Sequence, residues 1–304
     1  MGRDHPHARA LAVDGSPAAA LARLHATHLG PAYARLADAA RTGQDAYSLA
    51  HNGAPFWTRL SADAACEQMF ARAMLMGDGL VSTRLLKGAR DWGRAACIVD
   101  VGGAHGSLLA RLLDIIGNPN MRGVLFDQPA VVEATRAAWA ADGAAGQGRG
   151  QVSFVGGNLF EASSLPPLHR GSVAVARFIL HDWGDADAVH ILRALRSAVV
   201  DGKEAGSGAE GGGGGLPPPA LCLVELILPP GASPPAHPYL ALADINMLAA
   251  VVGGRERTVT EWRAVLDAAG WRLVSVKPVG VVCLLEAEPV GEGGGGAGVD
   301  VVEE

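Results

Sequence analysis

The stretch Arg177-Phe-Ile-Leu-His-Asp-Trp183 holds the residues best suited to chemistry. Ser172 to Leu180 is mostly apolar and follows Gly171, so it reads as a buried strand. His181 and Asp182 then fall where that strand ends. In an open α/β sheet the carboxyl ends of strands are where ligands bind. An imidazole there can act as a base near neutral pH, since its ordinary pKa is ~6.5. The same residues also read as a helix start, with Asp182 as the cap and His181 as plain loop.

Two carboxylates stand out further along. Glu225 lies inside the otherwise apolar run Leu221 to Leu228, where a carboxylate is rarely tolerated unless paired. Glu256, in Gly253-Gly-Arg-Glu-Arg-Thr258, reads on its own as half of a surface ion pair. A third group begins at Ile98-Val-Asp-Val-Gly-Gly-Ala-His-Gly106-Ser107, a strand running into a glycine turn and then a helix. Glycines let backbone approach a ligand, and a helix N-terminus offers amide hydrogens. Asp127 ends the next strand, 21 residues after Gly106. A carboxylate there can accept hydrogen bonds from ribose hydroxyls.

These parts make a nucleoside half-site. The dinucleotide fingerprint Gly-x-Gly-x-x-Gly fails: counted from Gly102 its later places are Ala104 and Ser107, and from Gly103 the second is His105. A P-loop also fails, because no Gly-Lys-Ser/Thr follows. A nicotinamide oxidoreductase is disfavoured accordingly. An Asp two residues before Gly-Gly-x-x-Gly resembles motif I of S-adenosylmethionine-dependent methyltransferases.

The elements that must position these groups alternate. Residues 17–95 read as helical, with apolar positions at helical spacing in Ala19–Leu24, Tyr33–Ala39 and Cys66–Leu80. Met69, Met74 and Met76 fall at spacings that suit a core. Strands are expected at Ala96–Val101, Gly123–Phe126, Val152–Val155, Ser172–Leu180 and Leu221–Leu228. Helices are expected at Leu108–Ile116, Ala130–Ala141, Asp185–Val199, Leu240–Val252 and Thr260–Ala269. A last strand pair, Leu273–Val276 and Val281–Ala287, turns at Pro278–Gly280. The pattern predicts an α/β fold: a mostly parallel sheet with an antiparallel C-terminal edge and helices on both faces, preceded by a short helical region. A Gly/Pro insert at 202–219 and an acidic, Gly-rich tail at 291–304 read as flexible. The expected division is therefore 1–95, a helical N-terminal segment; 96–290, a catalytic domain; and 291–304, a disordered tail.

Bulk properties narrow the partners. With 304 residues, 49% hydrophobic and 18% charged, the chain can bury a full core. A net charge of -6 argues against nucleic acid as a partner. Cys66, Cys97, Cys222 and Cys283 form no CxxC pair, which counts against zinc and redox motifs and fits a reducing, cytoplasmic setting. No apolar run reaches the ~20 residues of a membrane span. An organelle address is left open, with Asp4 against it.

Seven motifs occur in order: Val99-Asp-Val-Gly-Gly-x-x-Gly106, Gly123-Val-Leu-Phe-Asp-Gln-Pro129, Phe154-Val-Gly-Gly-Asn-Leu-Phe160, Arg177 to Trp183, Glu225-Leu-Ile-Leu-Pro229, Asp244-Ile-Asn-Met247 and Gly253 to Thr258. The series resembles the caffeic acid / acetylserotonin (hydroxyindole) type of small-molecule O-methyltransferase, over about 96–288. A weaker likeness runs back to Ala46, through His51-Asn-Gly-Ala-Pro-Phe-Trp57. The resemblance implies a Rossmann-like class I methyltransferase fold and S-adenosyl-L-methionine as cofactor. It implies that Gly102 lies against the cofactor, that Asp127 binds its ribose, that Asn158 and Leu159 flank the adenine, and that Arg177 stands near it. Asn158 replaces the family's usual Asp. His181 would be the general base, Glu225 and Glu256 would orient its imidazole, and Asn246 and Met247 would line the acceptor pocket.

What the resemblance implies chemically is methyl transfer to a hydroxyl of a small phenolic or indolic acceptor. The cofactor carries its own electrophile, so no metal is called for. The family's winged-helix domain and swapped homodimer find little room in the ~95 residues before motif I, which counts against the dimer. The alternative function is a weak or inactive cofactor-binding scaffold derived from such an enzyme.

Overall fold

Short apolar runs with β-branched residues form the sheet. Cys97–Val101 (β1) is buried along its whole length, as a parallel strand covered on both faces must be. Arg122–Asp127 (β2), Val152–Gly156 (β3), Ser172–Arg177 (β4) and Ala220–Glu225 (β5) follow. The pair Ile227–Leu228 (β6) and Arg257–Thr258 (β7) makes a separate two-stranded parallel sheet. Trp271–Val279 (β8) and Val282–Pro289 (β9) close the series. The computed structural model describes residues 11, 13, 15–79, 81, 83–141, 151–200, 215–231 and 238–291. The sequence reading of 202–214 and 292–304 as flexible falls outside them.

The main sheet has the order β3-β2-β1-β4-β5-β9-β8. The first five strands are parallel, and β9 and β8 run antiparallel. Strand order reverses between β1 and β4, the switch point beside which open α/β sheets bind ligands. Helices Ser107–Ile116, Pro129–Ala141, Asp185–Ser197 and Val259–Ala268 connect the strands. The expected α/β fold is the one observed.

Two compact units emerge, and they do not follow the chain's linear order. One comprises the chain up to Val81 together with His181–Asp185 and Ile227–Thr258. The other comprises Ser82–Leu180, Ala186–Leu226 and the chain from Val259. The first unit is built on helices with a core that includes Leu24, Ala32, Tyr47, Phe56 and Ala249. Its aromatic centre packs edge-on, with Phe56 5.2 Å from Tyr47 and 5.5 Å from Phe70. The second unit contains the main sheet.

Three sequence expectations are corrected. The strand from Ser172 ends at Arg177, not Leu180, because Phe178 takes a left-handed backbone, φ 55°, that no strand contains. The run Leu221–Leu228 breaks after Glu225, and Ile227–Leu228 leaves the main sheet to pair with β7. Met74 and Met76 are exposed; only Met69 of the three packs against the helical core.

Candidate active site

The second unit gathers the glycine turn and its acid. Gly102 follows β1 with φ 71°, and a Cβ there would collide with the end of the Ile179 side chain. The left-handed φ favours glycine, and any larger residue would also have to push the Ile179 side chain aside. Ala104 holds φ 46° in the same turn, where alanine is strained by ~1–2 kcal/mol. Ala104→Gly relieves that strain, but it also loosens the unfolded chain by about 0.4–1 kcal/mol. The expected net result is a small rise in melting temperature, read by thermal denaturation; a clear fall would contradict the strain.

Asp127 closes β2. Its Oδ2 accepts from Ala104 N at 2.9 Å and its Oδ1 from Gln128 N at 2.7 Å. Burial pushes this carboxyl up, and the two N–H groups and His105 pull it back. Each oxygen keeps a lone pair after one backbone bond, so the carboxylate can still accept two hydroxyls. Those acceptor sites fit the hydroxyls of an uncharged ribose. Asn158 is exposed and tied to its own loop: Oδ1 accepts from Phe160 N at 3.1 Å, and Nδ2 donates to Glu161 at 3.0 Å. Leu159 beside it is half-buried, as is Arg177 at the end of β4.

Glu225 is fully buried at the end of β5. Its Oε1 accepts from Ile179 N at 3.3 Å and Leu180 N at 3.2 Å. Phe178 N donates to Val224 O at 3.2 Å. These three bonds hold the strained turn that delivers the chain to His181. Backbone strain of this kind persists only where surrounding bonds over-determine it.

The first unit contains His181, Glu256, Asn246 and Met247. His181 lies in the 3₁₀ turn Leu180–Asp182, and the helix that follows starts only at Asp185. Its Nδ1 is 2.9 Å from Glu256 Oε1. Glu256 is 1% exposed, so the surface ion pair read from its neighbours is corrected: Arg255 and Arg257 both pair with Asp185. Arg257 is wholly buried and grips Asp185 Oδ1 with Nε at 3.0 Å and a terminal nitrogen at 2.8 Å. It also donates to Trp183 O at 2.7 Å, fixing the turn just past the histidine.

The backbone of His181 is pinned as well. Arg255 N donates to His181 O at 2.8 Å. A Cβ on Gly254 would lie 3.1 Å from that same oxygen, a tight approach, and would also collide with the Val251 side chain, so glycine suits this position. Asp244, on the helix Pro238–Ala250, accepts from Glu256 N at 3.0 Å and sets the carboxylate's height.

Sequence reasoning left Asp182 open between a strand-end group and a helix cap. The structure puts its Oδ1 3.6 Å from His181 Nε2, too long for a hydrogen bond but close for a charge. Burial pushes the Asp182 carboxyl up to about 6; Glu256 adds to the rise, and His181 opposes it. The imidazole therefore lies between two carboxyl groups. Acid next to histidine in sequence is the one signal that could have marked it. Burial also pushes all four cysteine thiols up, Cys222 to about 12, which disfavours the reactive thiolate; Cys66, Cys97 and Cys222 are buried and Cys283 is half-buried.

The fold is that of the class I methyltransferases, and comparison agrees: an O-methyltransferase domain matches residues 33–272, and the chain belongs to that family. A curated relative is O-demethylpuromycin-O-methyltransferase of Streptomyces alboniger, 35% identical over 255 residues, 82% of this chain. The chain spans 60% of that relative's length. Among solved structures, LaPhzM superposes with a TM-score of 0.75 at 27% identity, covering 93% of this chain and 76% of LaPhzM. NcsB1, an O-methyltransferase from neocarzinostatin biosynthesis, was solved with S-adenosylmethionine and 2-hydroxy-5-methyl naphthoic acid. It superposes with a TM-score of 0.68 at 26% identity, over 95% of this chain and 75% of NcsB1. No helix among the described residues is long and apolar enough to cross a membrane.

Proposed function

We propose that this chain transfers a methyl group from S-adenosylmethionine to a hydroxyl of a small aromatic acceptor, with His181 as general base. The observation that carries the reading is the 2.9 Å contact between His181 Nδ1 and the buried Glu256 carboxylate. Family membership and the aromatic ligand in NcsB1 support the acceptor class.

S-adenosylmethionine supplies an activated methyl on a sulfonium. Asp127 takes the ribose hydroxyls, the turn at Gly102 and Gly103 lends backbone beside them, and Leu159 offers an apolar surface to the base. In the first unit, Glu256 accepts Nδ1–H from His181 and so leaves the Nε2 lone pair to receive the hydroxyl proton. A phenol has a pKa near ~10, so that transfer is uphill by ~3.5 units, or about 5 kcal/mol. Two carboxyl groups beside the ring stabilise the imidazolium and narrow the gap. An aliphatic hydroxyl would be far harder to deprotonate, which favours phenols.

The test is a turnover screen of phenols and N-acylindoles with S-adenosylmethionine, read by mass spectrometry as a gain of one methylene. No product from any acceptor, with S-adenosylhomocysteine still bound in calorimetry, would turn the reading to the inactive scaffold.

Asp182 makes this centre sensitive to pH. Its carboxyl titrates near 6 in the fold against an ordinary value of 3.8, so the folded state binds its proton more tightly than the unfolded chain. Stability from this group is greatest at low pH and falls as pH rises from about 4 to about 6. Asp182→Asn keeps the size and removes the ionisation. Thermal melts should show the variant more stable than the parent above about pH 7, with the gap closing below about pH 5. A gap that does not change with pH would rule out the raised carboxyl.

A further inference from the structure

The side chains that reach Asn246 come from the N-terminal helices. Tyr33 closes the helix Gly30–Tyr33, and its hydroxyl lies 2.6 Å from Asn246 Oδ1. That is an O–H···O length, shorter than amide donors make. Tyr33 therefore donates, and the amide is turned with its oxygen toward it. His25 Nδ1 lies 3.3 Å from the same hydroxyl, and the two rings stack with centroids 6.1 Å apart.

Burial pushes the His25 pKa down, so the ring is neutral at pH 7. The Tyr33 proton is spent on Asn246, which leaves the Tyr33 oxygen to accept Nδ1–H from His25. Donation runs one way: His25 to Tyr33 to Asn246. The π-turn His25–Leu29 makes the arrangement possible. Its i→i+5 bonding shifts the phase of the helix and brings His25 and Tyr33, eight residues apart, onto one face. Such turns occur frequently at functional sites.

The helix Pro238–Ala250 that carries Asn246 also carries Asp244, which holds Glu256, which in turn holds His181. Asn246 stands two residues from Asp244 on that helix. With Oδ1 occupied by Tyr33, the half-buried amide has Nδ2 to offer a ligand.

We propose that His25 and Tyr33 set acceptor specificity: by locking the Asn246 amide they present its N–H donors, and so select aromatic hydroxyl compounds that carry a second, carbonyl-type oxygen. Asn246 makes the contact, and His25 and Tyr33 are positioning residues. The inference rests on the methyl-transfer reading for the class of ligand.

Calorimetry on the full chain tests it, using positional isomers of acetylnaphthol, each against its ethylnaphthol counterpart. At least one acetyl isomer should bind roughly threefold to tenfold tighter than its counterpart, the worth of one net hydrogen bond. Tyr33→Phe should bring that ratio to about one, and Asn246→Asp, which removes the donors, should invert it. A purely structural role for Tyr33 would weaken both members of a pair alike and preserve the ratio. The inference is overturned by a ratio near one for every isomer, by no binding of any, or by a preference that survives Tyr33→Phe. Methylation of the same pairs is read separately by mass spectrometry. A binding preference without product would defeat the methyl-transfer reading and leave this one standing.

Discussion

Replacing His181 with alanine should lower turnover by about 100- to 10,000-fold, the usual worth of a general base. Affinity for S-adenosylmethionine, read by calorimetry, should stay within about threefold, because none of the cofactor contacts assigned above uses this side chain. Alanine also strips the buried Glu256 of its partner, and a buried acceptor left without a donor costs ~1–3 kcal/mol. His181→Gln is the cleaner variant. Its amide N–H can still reach Glu256, but it carries no basic nitrogen. Both variants should fail in turnover, with glutamine the better folded by thermal melt. Turnover within a few-fold of the parent in either would remove His181 from the chemistry. Lost cofactor affinity in both would instead mark it as part of the binding surface.

The sheet was legible in the sequence because parallel strands buried on both faces read as apolar runs. Cys97–Val101 and Ala220–Glu225 are such runs. The glycine turn and Asp127 were legible because backbone geometry restricts residue type there. The break after Arg177 was not. Phe178 is no turn former, and its left-handed backbone is held by Val224 and Glu225, more than forty residues away. Nothing local encodes it.

Two acids behaved in opposite ways. Glu225 announced itself as a carboxylate in an apolar run, and its partners prove to be the N–H groups leading into His181. Glu256 sat among arginines and looked solvated. Its burial depends on Asp244 taking its N–H and on Gly254 letting the backbone close on His181. Those are tertiary facts that composition cannot carry. The helical unit was the least legible, since the phase shift at His25–Leu29 breaks the 3.6-residue period from which a helix face is read.

Glu256→Gln should lower kcat by about 100- to 10,000-fold while raising the melting temperature. The two effects have separate causes. Glu256 is buried, and among the described residues its Oε2 has no hydrogen-bond partner. A carboxylate so placed is held against its solvation cost, and a neutral amide of equal size removes that cost. Catalysis needs the charge for two reasons. The carboxylate can only accept, so it fixes the proton on Nδ1 and leaves Nε2 free to take another. It then stabilises the imidazolium once that proton arrives. Glutamine can turn its N–H toward Nδ1, which drives the ring proton to Nε2 and blocks the base. A comparable exchange in a histidine–carboxylate pair costs about 10⁴-fold. The acceptor's own acidity separates this explanation from a general loss of structure. A 4-nitrophenol, about half ionised near neutral pH, needs far less help with its proton. The penalty of Glu256→Gln should therefore shrink sharply on a nitrophenol and stay large on an ordinary phenol. An equal penalty on both acceptors, or a fall in melting temperature alongside the lost activity, would show that Glu256 serves the fold and not the proton.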